Sequence, residues 1–297
     1  MFEKRAYLLD VTDRAPTMRS MREMVDILSG CAFNELIVYK GKFSSEWEEE
    51  APEMENPAKI EMYASMQGID MKMLDPDGWE DFLSDGKSVC VSTESSRSLA
   101  GRVELLRERA EAAEAAGREK NALRYIVTDF SDGHNWHPFV LSLPAILLCG
   151  NFAAGGRKAA KMDLEIELDR ILGAPLGGLI LRLGTLYLCG GALRDDASEF
   201  FNILANDVGY SRHPGVTQTV LDDVGAVARG VRIAAERWVE RSDWAKEIVY
   251  VADLLDAACH RRDEKLLRAV REEHSRIWKM RYLPEGRVES LSRLPRF

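Results

Sequence analysis

The chain has 297 residues, which is enough for one large domain or two modest ones with a sizeable apolar core. Hydrophobic residues make up 46% and charged residues 30%, a balance that excludes wholesale disorder. The 40 Lys and Arg residues against 49 Asp and Glu residues give a formal net charge of −9 without a basic cluster. We therefore predict neither a nucleic acid nor a membrane surface as a partner.

The sequence predicts no signal peptide, no membrane span and no cysteine-based site. The longest apolar stretch, 138–154, contains Pro144 and Asn151 and is shorter than the roughly 20 residues that span a bilayer, so it predicts a buried segment. The first residues lack the apolar core of a signal peptide. The five cysteines are scattered without Cys-x-x-Cys spacing, which predicts neither a disulfide framework nor a zinc site. We expect a cytoplasmic protein without a cofactor.

Strand and helix patterns alternate over the first part of the chain. Thr17 can cap a helix that ends at Gly30, and an Ala-, Glu- and Arg-rich helix is predicted over 98–116, with Gly117 closing it. Strands alternating with helices imply parallel βαβ units with right-handed crossovers. Short apolar and β-branched runs predict five strands, at residues 6–11, 34–40, 71–74, 88–92 and 124–128.

After His137 the pattern predicts helices and no further strand. We therefore expect an α/β domain over 1–137 and an α-helical domain over 138–297. An acidic run at 46–55 predicts a solvated loop. The predicted helices of the second half are amphipathic runs at 159–172, 176–189, 198–207, 216–241, 244–260 and 263–282.

The loop after the last predicted strand is the densest polar cluster in the sequence. Parallel α/β proteins place their ligand sites at the carboxyl ends of strands, where this loop begins. Asp129 and Asp132 could handle protons or bind sugar hydroxyls, His134 or His137 could act as a general base, and Trp136 could stack on an apolar face. The alternative interpretation is structural: the aspartates cap the next helix, and the histidines are merely polar.

Other chemistries fit the sequence less well. A metal ion on Asp132, His134 and His137 is a weaker interpretation, because the spacing matches no standard zinc motif. Asp10 and Glu94 end predicted strands, where each either points into a common cleft or anchors a loop. The sequence has neither a Gly-x-Ser-x-Gly nucleophile elbow nor a phosphate-binding loop.

Five segments share their residue pattern with one enzyme family. They are Arg-Ala-Tyr-Leu-Leu-Asp at 5–10, Asn-Glu-Leu-Ile-Val-Tyr at 34–39, the Ser- and Arg-rich stretch at 91–102, Thr-Asp-Phe-Ser-Asp-Gly-His at 128–134, and the Glu-His…Trp…Arg…Pro…Gly…Ser pattern at 273–290. The first two are similar to the opening βα units of the family 20 glycoside hydrolases. The others resemble late and closing elements of these β-N-acetylhexosaminidase-like proteins.

The resemblance covers both ends of such an enzyme and skips its middle. A complete eight-stranded barrel needs about 200 residues or more, whereas 137 precede the helical half. The implied fold is α/β, a partial TIM-like (β/α) barrel followed by an α-helical C-terminal domain. The family's catalytic Asp-Glu pair has no strand-end counterpart, because the Asp263-Glu264 dipeptide lies in a predicted C-terminal helix.

The resemblance implies a residual carbohydrate-binding cleft for an N-acetylhexosamine-type sugar, with β-linked terminal sugars as substrates if hydrolysis survives. Arg5, Asp10, His134 and Trp136 would bind the sugar. The alternative is a non-catalytic pseudoenzyme that acts as a sugar sensor, a regulatory subunit or a protein-interaction module. The candidate catalytic residues are Asp129, Asp132 and Glu94.

A five-stranded piece of a barrel also has consequences for association. Its two open parallel edges and its uncovered inner face are costly to leave in water. We therefore expect a homodimer, or a complex with a full-length paralogue that supplies the missing strands.

Overall fold

The computed structural model describes residues 2–41, 53–84, 86–155, 162–190, 197–205, 215–260 and 263–295. Residues 46–52 of the predicted acidic loop lie outside these ranges. The architecture is mixed α/β, with one five-stranded parallel sheet and many helices, which confirms the predicted fold class.

All five predicted strands are confirmed, with small shifts at their ends. The central strand β1 pairs with β2 on one side and with β5 on the other, and Ala6 stands opposite both Glu35 and Ile126. The sheet order is β3-β2-β1-β5-β4, and every pair is parallel. The strands are β1 (Lys4–Asp10), β2 (Glu35–Tyr39), β3 (Asp70–Leu74), β4 (Ser88–Ser92) and β5 (Arg124–Asp129).

The direction of the crossovers decides on which face of the sheet each connecting helix lies. The connections β1–β2, β2–β3 and β4–β5 all step the same way across the sheet, so right-handed crossovers put their helices on one face, which we call the outer face. Buried residues of these helices join one core cluster with the strands. The outer-face helices are α1 (Met18–Gly30), α2 (Pro57–Met66) and α4 (Val103–Glu119), and the connection β3–β4, which steps the other way, carries α3 (Pro76–Leu83). Thr17 caps α1 as predicted.

The strand order is compatible with a partial barrel. In a closed barrel, neighbours in sequence are neighbours in space and the first strand pairs with the last. Here β1 pairs with the last strand, β5, while β3 and β4 stand at opposite edges. The order is therefore that of a barrel in which consecutive strands between the third and fourth are absent.

The opposite, inner face of the sheet carries a small apolar cluster of Ala6, Leu8, Ile37 and Ile126. The short helix α3 partly covers it, although no residue of α3 is buried.

A buried ionic cluster closes the amino end of the inner face. Glu35 is fully buried, with Lys72 Nζ at 2.5 Å and Arg124 Nε at 3.5 Å from its carboxylate oxygens. The Arg124 guanidinium also lies 4.2 Å from the ring centroid of Phe82 on α3. These contacts explain why α3 rests on this face, because the arginine joins the buried carboxylate to the helix.

The second half of the chain is helical, as predicted, and no strand follows β5 in the described ranges. The apolar stretch at 138–154 forms a 3₁₀ turn (Phe139–Ser142) and α5, which packs on β1, β5 and α4, so one apolar core crosses the predicted boundary at residue 137. None of the described helices is long and apolar enough to cross a bilayer. The helices are α5 (Leu143–Gly155), α6 (Leu164–Leu172), α7 (Gly177–Gly184), α8 (Glu199–Ala205), α9 (Gln218–Glu236), α10 (Asp243–Cys259), α11 (Glu264–Arg281) and α12 (Arg287–Arg293).

The prediction that Gly117 closes a helix over 98–116 is wrong at both ends. Helix α4 begins later, at Val103, because Arg102 adopts a non-helical backbone while its guanidinium pairs with buried Glu94. Gly117 lies inside α4, where a Cβ would approach the Phe2 ring to 2.5 Å. The glycine is therefore required for close packing of α4 on the chain's amino end, and not for helix termination.

Replacing Gly117 with alanine should destabilise the protein. We expect Gly117→Ala to lower the free energy of unfolding by about 1–3 kcal/mol, because the new methyl group overlaps the ring of Phe2. Gly230 also lies within a helix, but no atom lies within 4 Å of the position that a Cβ would take there, so Gly230→Ala should raise stability by up to about 1 kcal/mol. Urea unfolding measures both, and equal effects of the two substitutions would contradict the packing explanation.

Candidate functional site

Asp129, the last residue of β5, is buried between the sheet and α5. Its carboxylate accepts hydrogen bonds from Tyr7 Oη at 2.5 Å and from Ser142 Oγ at 2.8 Å. Thr93 Oγ1 and Ser95 Oγ donate at 3.2 and 3.3 Å. The carboxylate therefore points to the outer, helix-covered face, and side chains from β1, the 3₁₀ turn before α5 and the loop after β4 surround it. Burial of a carboxylate is tolerated because so many donors compensate for lost hydration.

Glu94 lies between Thr93 and Ser95, but its side chain has different partners. It is fully buried, and its two oxygens lie 2.6 Å from Arg102 Nη2 and 2.5 Å from Arg109 Nη1. Its positive φ of 58° turns the backbone sharply after β4. Glu94 is thus held by two guanidinium groups and anchors the start of α4.

Asp132 organises the polar loop at 129–137, which we call the strand-end loop. Its Oδ1 accepts hydrogen bonds from the backbone N–H groups of His134 and Asn135, at 2.9 and 2.8 Å. Its Oδ2 accepts from the Arg97 N–H at 2.7 Å. Burial alone would raise the pKa of Asp132, but nearby His137 and these backbone donors outweigh it and hold the pKa below its usual value. The carboxylate stays ionised and fixes the loop to the turn before α4.

His137 is buried against Arg14. Arg14 Nη1 donates to the His137 carbonyl at 2.6 Å, and Nη2 lies 2.5 Å from His137 Nε2. Since a guanidinium can only donate, Nε2 acts as the acceptor, and the ring proton lies on Nδ1, 3.8 Å from Asp132 Oδ2. Burial and the charge of Arg14 lower the pKa of His137 to about 4, so the ring is neutral near pH 7. Within the described residues, no group of three or more His, Cys, Asp or Glu side chains could hold a metal ion.

The strand-end loop is also bonded to the C-terminal helices. The Trp136 indole donates to the Ser290 carbonyl at 3.2 Å, and Ser290 Oγ lies 2.5 Å from the His134 carbonyl. His274 Nε2 lies 3.0 Å from the same hydroxyl, and Tyr250 Oη lies 2.7 Å from His274 Nδ1. Trp136 is 2% exposed, so its ring packs in the protein interior, where the predicted stacking on a sugar has no room.

A buried ion pair completes the join between the two halves. Glu247 on α10 accepts a hydrogen bond from the Val140 N–H at 2.8 Å and pairs with Arg281, which also pairs with Glu23 of α1. Beside it, a cavity of about 20 Å³ is lined by residues that include Arg14, Asp129 and Arg281. That volume accommodates about one water molecule and no sugar ring.

The inner side of the same sheet edge is more open. Asp10, at the end of β1, accepts hydrogen bonds from Thr12 and from the Ser131 N–H, and burial raises the pKa of its carboxyl. Next to it lie three half-exposed aromatic side chains. The Phe130 ring is 5.3 Å from the Tyr39 ring and 6.1 Å from the Trp79 ring, between centroids. We call Tyr39, Trp79 and Phe130 the aromatic strip.

The structure therefore brings together most, but not all, of the predicted site residues. Asp129, Asp132, His134, Trp136 and Glu94 lie around the strand-end loop, and Asp10 lies beside it. Arg5 does not join them, because it lies near the amino end of β1 and bonds to the carbonyls of Ala32 and Phe2.

Several residues at this edge were not found by sequence reasoning. Arg14 and Tyr7 carry no local motif, and Ser142 lies in an apolar run. The aromatic strip combines residues from three elements whose adjacency depends on the sheet order. An open groove of about 880 Å³ in the helical half, lined mostly by charged side chains of α9, α10 and α11, was also not predicted and contains none of the predicted site residues.

The comparisons with known proteins give no match in sequence and a weak similarity in structure. No family model matches the sequence, and no curated protein matches it. Among solved structures, a GH138 enzyme targeting pectin rhamnogalacturonan II aligns over 95% of this chain and 78% of its own, with 8% identity and a TM-score of 0.35. The similarity to a glycoside hydrolase is thus loose, does not extend to family 20, and says nothing about activity.

The neutral, buried His137 predicts acid sensitivity. Its pKa is about 4 in the folded protein against 6.5 for an exposed histidine, so the unfolded chain binds the extra proton first as pH falls. The contribution of His137 to stability should therefore be complete above pH 6.5 and fall by about 3 kcal/mol as pH approaches 4.

The matched control for this prediction is His137→Gln, which keeps an acceptor for Arg14 but does not titrate. Urea unfolding from pH 7 to pH 4 should show the stability gap between wild type and variant narrowing by that amount. A gap that stays constant over this range would contradict the assignment of a neutral His137.

Proposed function

We propose that this chain is a non-catalytic, glycoside-hydrolase-like protein that binds an N-acetylhexosamine-type sugar at the aromatic strip. One observation carries the proposal. At the carboxyl edge of the sheet, the candidate acids are buried among fixed partners, whereas Tyr39, Trp79 and Phe130 remain half-exposed.

Hydrolysis needs a carboxyl group that can reach the glycosidic oxygen and give up a proton near neutral pH. Glu94 faces two arginines, and Asp132 has a lowered pKa and three backbone donors. Asp129 points to the helix-covered side of the sheet, where the adjoining cavity has room for about one water. Each candidate supports the fold, and none faces a space that would hold a sugar.

Sugar binding without hydrolysis requires no proton donor, only groups that contact the sugar. Aromatic rings cover the apolar faces of pyranose rings, and carboxylates accept hydrogen bonds from their hydroxyls. Half-exposed Asp13 is the accessible carboxylate at this edge, and Ser131 links it to Asp10, which is buried and bonded to Thr12 and Ser131. The strip also lies at the sheet edge where parallel α/β proteins bind ligands.

A second candidate function is slow hydrolysis with Asp10 as the general acid. Burial raises the pKa of Asp10 against the lowering effect of Thr12 and Ser131, and Asp10 lies next to the aromatic strip. A raised pKa is the direction of shift that a carboxyl group needs in order to serve as a general acid.

Ligand-observed NMR separates these functions. We expect saturation transfer to N-acetylglucosamine or N-acetylgalactosamine, with weaker transfer to glucose and galactose. Trp79→Ala should weaken binding roughly fivefold, because an aromatic stack contributes about 1 kcal/mol. Trp238→Ala is the matched control, since Trp238 is also half-buried but lies in the helical half.

The opposite results are equally informative. Silence for all four sugars, or equal losses in the two tryptophan variants, would refute binding at the strip. Turnover of an aryl N-acetyl-β-glucosaminide that is lost in Asp10→Asn would replace the non-catalytic proposal with the hydrolytic one.

A further inference from the structure

Strand β4 forms one edge of the sheet, and its hydrogen bonds show which of its backbone N–H and C=O groups point toward β5. The Thr93 N–H donates to the Thr128 carbonyl on β5, and the Lys87 carbonyl accepts from Leu123 and Arg124. The direction of the backbone N–H and C=O groups alternates along a strand. The backbone groups of the odd-numbered residues of β4 therefore point toward β5. The N–H and C=O groups of Ser88, Cys90 and Ser92 therefore point away from the sheet.

The sequence of this edge strand is a palindrome. Residues 88–92 read Ser-Val-Cys-Val-Ser in both directions. If two copies of the strand pair antiparallel about Cys90, Cys90 lies opposite Cys90, Val89 opposite Val91, and Ser88 opposite Ser92. Each valine then extends the apolar outer face of the neighbouring sheet, and each serine meets a serine.

Two features of β4 fit such a pairing. Val91 is buried on the outer face, whereas Cys90 on the inner face is exposed. The middle residue of β4 is therefore accessible to a second chain. The Ser88 hydroxyl is buried and bonds to no described residue, and in this register Ser92 of the second copy lies opposite it on the same face.

Helix α4, which packs on β4, adds charge complementarity. Two antiparallel β4 strands also set the two α4 helices antiparallel. The charges in the first half of α4 are acidic on balance, because three exposed glutamates outnumber the partly exposed Arg107 and Arg109, whereas those at its end are basic on balance. Each acidic half would approach the basic end of the other helix, a favourable although modest contribution. The acidic residues are Glu104, Glu108 and Glu111, and the end carries Arg118, Glu119 and Lys120.

We propose that the β4 edge is a homodimer interface, in which β4 of a second copy of this chain pairs antiparallel about a two-fold axis at Cys90. Such an isologous contact joins two five-stranded sheets into one continuous sheet. It removes an open edge that would otherwise be free to pair with other chains. The interface does not depend on any sugar site.

Disulfide trapping tests the register directly. Residues opposite each other in a hydrogen-bonded antiparallel pair have Cα atoms about 5.5 Å apart, within the range that a disulfide bridges. Diamide, as the oxidant, should convert the protein to a covalent dimer of twice 33.4 kDa on a non-reducing gel. Cys189→Ser, which removes the other exposed cysteine, should leave this product intact, whereas Cys90→Ser should abolish it.

Solution mass tests the interface without oxidation. We expect light scattering at micromolar concentration to give a dimer for wild type and Cys90→Ala. Cys90→Lys should raise the dimer dissociation constant roughly 100-fold or more, because two ammonium groups would meet at the axis. The side chain is exposed, so the lysine variant should fold, and its circular dichroism and melting temperature check this.

Three results would overturn the proposal. One is a monomeric wild type, and another is a dimer unaffected by Cys90→Lys. The third is a diamide product that depends on Cys189 and not on Cys90.

Discussion

A buried carboxylate at the end of the central sheet constrains the rest of this molecule. Asp129 lies where β5 meets α5, and it can stay there only if polar partners replace its lost hydration. Tyr7, Ser142, Thr93 and Ser95 supply them from three directions. These donors lie on the central strand, on the 3₁₀ turn before α5 and in the loop after β4, so one group positions all three elements.

The one-sided sheet explains why the two faces differ. Helices on the outer face bury a large core, which includes residues from both halves of the chain. The inner face has a small apolar cluster, the ionic cluster around Glu35 and the cover of α3. A barrel would close this face with its own strands, whereas here a short helix and a buried carboxylate do so. Because the sheet does not close into a barrel, its edge strands β3 and β4 each pair on one side only.

Much of the fold, but little of the site, could be predicted from the sequence. Strands follow from β-branched runs and helices from their periodicity, both local properties. Gly117 misled the prediction because its role depends on Phe2, far away in the chain. The partner of His137 is Arg14, 123 residues away, and no local pattern indicates which buried polar groups will meet. The strand-end loop follows β5 as predicted, yet Asp129 bonds to residues outside the loop, and Asp132 bonds to the loop's own backbone and to the Arg97 N–H.

The contacts of Ser290 have a consequence for how the protein is made. The Ser290 carbonyl accepts a hydrogen bond from the Trp136 indole, and its hydroxyl donates to the His134 carbonyl, yet Ser290 is synthesised more than a hundred residues later. Until α12 emerges from the ribosome, the sheet can form but the strand-end loop keeps unpaired polar groups beside apolar surface. The strand-end loop is therefore completed only late in synthesis, and a chain cut short before α12 would leave these polar groups without their partners.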